Sequence, residues 1–97
     1  MARNDDIALT RGVWTQLTNA NAAAVRVQNY GGHSVYLQAT VGATAPTSRA
    51  GAMHLGGGDT MAADLTIAQL WPGVTGANRI WGMTDVAGTV SVSHADA

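Results

Sequence analysis

Apolar and polar residues alternate in short stretches along most of the chain. In "AAVRVQN", Val25 and Val27 point one way and Arg26 and Gln28 the other. "SVYLQATV" repeats the pattern, with Val35, Leu37, Ala39 and Val41 on one face and Tyr36, Gln38 and Thr40 on the opposite one. Gly31 and Gly32 lie between them and supply turn conformations at little steric cost, which reads as a hairpin. "GVWTQLT" (12–18) sets Val13, Thr15 and Leu17 against Trp14, Gln16 and Thr18. "AMHLG", "NRIWGMTD" and "GTVSVSH" are further strands, and Gly82 marks a bulge or a close packing contact. Turn residues such as "NAN" and "GGGD" recur at intervals of roughly 8 to 12 residues, as in sandwiches and barrels. Leu65, Ile67 and Leu70 break the alternation, so residues 66–70 read as one helical turn stopped by Pro72 and Gly73. The pattern predicts an all-β chain: a single compact antiparallel β-sandwich, jelly-roll-like, of about seven or eight short strands. "MARNDD" has no periodicity, so residues 1–8 read as a flexible N-terminal arm and residues 9–97 as the domain.

Composition adds a second constraint. At 97 residues the chain is one domain, and such a chain buries only roughly 60 to 70% of its unfolded surface. Only 11% of residues are charged and the formal net charge is −1, with neither lysine nor glutamate present. A surface this neutral favours association, so part of it is expected to be covered in the working state. Five scattered arginines build no footprint for nucleic acid. No apolar run reaches the length of a membrane span, and the first residues lack the apolar core of a signal peptide. The cysteine count is zero, which fits an intracellular or virion protein.

Candidate chemistry is sparse. The carboxylates are all aspartates: Asp5 and Asp6 in the arm, the others scattered, which gives no clear pair for acid–base work. His33, His54 and His94 lack partners at metal-ligand spacing apart from His94 and Asp96, so no metal or cofactor is expected. "GGGD" has no lysine after it and occurs once, so it reads as a tight turn and not as a phosphate cradle or calcium repeat. Trp14 and Trp81 each read either as a plug of the sandwich or as a contact for a partner subunit or sugar ring, and Trp71 as a lid closing the core. The polar face Arg26, Gln28, Tyr36 and Gln38, with Trp14 and Trp81, is the candidate subunit or capsid interface.

Taken in order, "VWTQLT", "AAVRVQN", the glycine turn, "SVYLQATVGATAP", "GAMHLGGG", "LTIAQLWPG", "RIWGMTD" and "VSVSHADA" resemble small all-β virion proteins of tailed bacteriophages. The resemblance is one of texture and element order from Leu9 onward. It implies a non-enzymatic structural protein of the virion, foremost a capsid decoration or cement protein on the head surface. Such a protein would work as a homo-oligomer, a trimer by the resemblance, bound to the major capsid protein. The alternative it implies is a head-spike, fibre-base or tail module that attaches to host surface glycans.

Overall fold

The computed structural model describes residues 2–95. Eight strands run in the order β1 (Arg3–Leu9), β2 (Thr15–Gln16), β3 (Arg26–Asn29), β4 (Val35–Thr40), β5 (Met53–Leu55), β6 (Thr60–Met61), β7 (Arg79–Thr84) and β8 (Gly88–His94), with α1 (Ile67–Leu70) before β7. They form two four-stranded antiparallel sheets, β1-β8-β3-β6 and β2-β7-β4-β5. Four of the pairings, β1 with β8, β2 with β7, β3 with β6 and β4 with β5, are those of one long hairpin closed at the β4–β5 connection. Rolling that hairpin up brings β8 against β3 and β7 against β4. This is the strand order of a jelly roll, and it confirms the expected sandwich.

The rolled topology separates the two ends. At one end, four short arches cross between the sheets: residues 10–14, 85–87, 30–34 and 56–59. At the other, the longer segments 17–25, 41–52 and 62–78 close the sandwich. Between the ends, Val27, Val90 and Val92 of the first sheet meet Val35, Leu37, Ala39 and Ile80 of the second, with Leu17, Leu55, Met61 and Ile67 filling the margins. Gly82 is a close-packing glycine and not a bulge. The β4–β7 register runs unbroken past it, and a Cβ there would stand 3.2 Å from Leu17 Cδ1. The helical turn forms where expected. Thr66 and Gln69 make a capping box, with the Thr66 hydroxyl accepting from the Gln69 N–H and the Gln69 side chain accepting from the Thr66 N–H at 2.8 Å. Trp71 then closes the core, its indole N–H donating to the Gly51 carbonyl at 3.2 Å.

Three expectations change. The Gly31–Gly32 link is not a hairpin: β3 and β4 lie in different sheets, so it is an arch between layers. Alternation specifies which side chains point inward, but two strands that face each other across a core carry the same alternation as two that pair. The arm expected at residues 1–8 is instead strand β1 from Arg3, in register with β8 from Arg3↔His94 to Leu9↔Gly88. As an edge strand it is held by backbone pairing and needs few apolar side chains, and only Ile7 and Leu9 pack inward. Finally, Val41 is exposed and not in the core, because β4 stops at Thr40 and Gly42, at φ 66°, turns the chain away.

Candidate functional site

The two outer faces of the sandwich differ. On the β2-β7-β4-β5 sheet the outward side chains include Gln16, Trp81, Met83, Tyr36, Gln38 and His54. The 41–52 segment folds back over this face. Gln38 donates to the Ala50 carbonyl at 2.6 Å, and the Arg49 guanidinium lies 4.3 Å from the centre of the Tyr36 ring. Arg49 also bonds Asp85, and that hydrogen bond raises its pKa further above the ordinary arginine value, so the charge is permanent. Trp81 is buried and its indole N–H donates to the Thr40 hydroxyl at 2.8 Å. A cleft of about 510 Å³ remains at the margin, between Pro46–Ser48 and Leu70–Val74.

The β1-β8-β3-β6 sheet is open. Its outward side chains are Asn4, Asp6 and Ala8 on β1, Thr89, Ser91 and Ser93 on β8, Arg26 and Gln28 on β3, and Thr60 on β6. The outward residues of β8 are all short. Those of β1 and β3 rise on either side, about 9 to 10 Å apart at the level of the backbone, twice the spacing of neighbouring strands. The result is a shallow trough of about 430 Å³ lined by Asn4, Asp5, Asp6, Arg26, Tyr30 and Ser91. Arg26 is held in place by a hydrogen bond from Nη2 to the Ser91 hydroxyl at 3.1 Å. Asp6 and Arg26 do not pair with each other; the ion pairs among the described residues are Arg3–Asp5 and Arg49–Asp85.

The six residues singled out from sequence therefore do not form one surface. Arg26 and Gln28 belong to the open sheet, and Tyr36 and Gln38 to the outer face of the covered one. Gln38 and Trp81 are engaged within the chain, while Trp14 is half-buried beside the 10–14 arch. His33 is exposed in the 30–34 arch, and His54 is exposed beside Tyr36, ring centres 5.5 Å apart. His94 is buried at the end of β8. Its Nε2 accepts the Asn19 N–H at 3.4 Å and its Nδ1 lies 2.8 Å from the Ala95 carbonyl, so both ring nitrogens are engaged within the chain. No three His or Asp side chains among the described residues come together as a metal site. Asp96, weighed above as a partner for His94, lies outside the described residues.

Sequence reading missed Asn29, whose side chain organises the arch end. The Asn29 Oδ1 accepts the Gly31 N–H at 2.9 Å, which fixes the orientation of the amide. Its two N–H protons are then shared among the carbonyls of His33 (2.6 Å), Leu55 (3.1 Å) and Gly56 (3.2 Å). Further bonds tie three of the arches to the strand ends beside them: Gly12 N–H to the Thr84 carbonyl, Tyr30 N–H to the Thr89 carbonyl and Gly58 N–H to the Asn29 carbonyl. On this braced end, Val13, Val86 and Tyr30 stand on three successive arches, 50%, 45% and 56% exposed. The signal for Asn29 was its place before Tyr-Gly-Gly, where an amide side chain can hydrogen-bond the backbone two residues on.

Fold and surface together define an eight-stranded jelly roll with one covered sheet, one open sheet and one braced, partly apolar end. No family model, curated protein or solved structure matches the chain.

Proposed function

We propose that this chain is a non-enzymatic structural protein of a tailed-phage particle, a decoration or cement protein that binds the head lattice as a homo-oligomer. The observation that carries the reading is the arch end. Three large apolar side chains, Val13, Val86 and Tyr30, are exposed on adjacent arches that backbone and Asn29 hydrogen bonds hold together. Exposed apolar residues at one end of the sandwich, on a surface otherwise short of charge, suit contact with a protein partner. A braced end also loses little conformational entropy on docking. The resemblance to small virion proteins supplies the partner, the major capsid protein, and trimers as the working form. Copies that bind only the assembled shell stabilise it by mass action, and many such contacts on one lattice add avidity.

The test is location and consequence. Electron microscopy of purified particles should find this chain on the head in many copies, with the 10–14, 30–34 and 85–87 arches at a protein contact. Stripping it should lower the temperature at which heads release DNA, and Val13→Ser with Val86→Ser should weaken rebinding. Particles that contain few copies, or that are equally heat-resistant without it, would refute the cement role.

A further inference from the structure

We infer that the trough across the β1-β8-β3-β6 sheet is a binding site for a neutral sugar ring. Its width comes from strand geometry: β1 and β3 flank β8 about 9 to 10 Å apart, with the short Ser91 between them, a span of the order of one six-membered ring. Its chemistry is that of a polyol site. Asp6 and Asn4 on one wall offer carbonyl-type acceptors, and Arg26 on the other offers planar donors, one of them spent on the buried Ser91 hydroxyl that aims the group. Vicinal hydroxyls of a sugar donate to a carboxylate and accept from a guanidinium at the same time, so each wall would meet a matching partner. Tyr30 also lines the trough and is 56% exposed, an aromatic side chain of the kind that packs on the C–H surface of a sugar. Asp5 at the rim is paired with Arg3 at 3.6 Å, which leaves one carboxylate, Asp6, and one guanidinium, Arg26, facing across the trough, a balance that favours neither an anion nor a cation. The cleft beside Trp71 is a poorer candidate, because the indole there is buried and already bonded to the Gly51 carbonyl.

This inference shares Tyr30 with the arch end but uses neither Val13 nor Val86, so the Val13→Ser, Val86→Ser protein should keep its sugar binding whatever becomes of its binding to the head lattice. The test uses the full chain labelled with 15N. Methyl glycosides of glucose, galactose, mannose and N-acetylglucosamine are titrated in turn, with N-acetylneuraminate and inorganic phosphate as anionic comparators. At least one neutral glycoside should bind with about millimolar affinity, as expected for so small a ligand on a shallow site. It should shift the amides of residues 4–8, 26–30 and 91–93. Asp6→Ala and Tyr30→Ala, both at exposed positions, should each weaken that binding roughly tenfold while the rest of the spectrum stays native. The proposal is overturned if no neutral glycoside shifts these amides, if the shifts fall around Trp71 instead, or if phosphate binds the trough as well as the glycosides do. Trough binding that both variants leave unchanged would also overturn it.

Discussion

Replacing Asn29 by alanine should cost this protein a large part of its stability. The side chain is fully buried and makes bonds to both glycine arches, so its removal strands several backbone groups at once. The Gly31 N–H loses its acceptor and the carbonyls of His33, Leu55 and Gly56 lose their side-chain donor; of these bonds the one to the Leu55 carbonyl is fully buried, and the others are partly so. A buried polar group left unpaired costs about 1 to 3 kcal/mol. If one or two of them stay unpaired after relaxation, the sum is about 3 kcal/mol. Folded domains hold only about 5 to 15 kcal/mol in total. For a domain of this size each kcal/mol moves the midpoint by roughly 4 to 8 °C, so the melting temperature should fall by about 15 °C. Urea unfolding followed by tryptophan fluorescence measures this directly.

Asn29→Asp makes the same argument sharper. It keeps the shape and the acceptor for Gly31, but turns a carboxylate toward three carbonyl oxygens. At neutral pH it should be less stable than Asn29→Ala. Burial and the facing carbonyls raise the carboxyl's folded pKa above its unfolded value of about 3.9, so the folded state retains a proton that the unfolded chain releases. Stability is then greatest at or below that unfolded value and is lost as pH rises through the folded one. The deficit relative to Asn29→Ala should therefore shrink on acidification. The reasoning is refuted if Asn29→Ala lies within about 1 kcal/mol of the wild type, below even one unpaired buried group, or if Asn29→Asp matches the wild type at pH 7.

The neighbouring glycines give a matched pair. A Cβ on Gly57 would lie 2.9 Å from the Gly31 carbonyl oxygen, a backbone atom that can move only with its arch, whereas a Cβ on Gly32 meets nothing within 4 Å. Gly57→Ala should lower the melting temperature clearly and Gly32→Ala should leave it unchanged or raise it slightly; equal effects would show that the arches are not in contact. Gln38→Leu removes the bond to the Ala50 carbonyl and should loosen the 41–52 segment at a cost of about 1 to 2 kcal/mol, read as faster amide exchange there, and exchange identical to wild type would argue that Arg49 and Trp71 suffice. Thr66→Ala deletes the capping box of α1 and should cost about 1 kcal/mol by urea unfolding, and no loss would mean that burial of Ile67 alone holds the turn.

Much of the fold was legible because β alternation is a local property. Of the inward sets, Val25, Val27, Val35, Leu37, Ala39, Val90 and Val92 are buried as read, and Val41 is not. The helical turn at 66–70 was legible from Pro72, Gly73 and the break in alternation. The site was legible only in part. Arg26 and Gln28 were found because they interrupt an apolar pattern, but Asn4 and Asp6 were set aside as an arm, since a polar edge strand has no periodic signature.

The class of the fold, most of the inward faces, the places where the chain turns and the low charge of the surface all follow from a residue and its immediate neighbours, and so could be read from the sequence. The tertiary structure alone decided that the segments on either side of Gly31–Gly32 lie in opposite sheets, and that Arg26 and Tyr36 therefore look out from opposite faces. It alone brought Asp6 of β1 and Arg26 of β3 to the two walls of one trough across Ser91. Pairing partners are chosen by the burial of whole strands and by hydrogen bonds between residues far apart in the chain, and a two-residue side-chain period is blind to both.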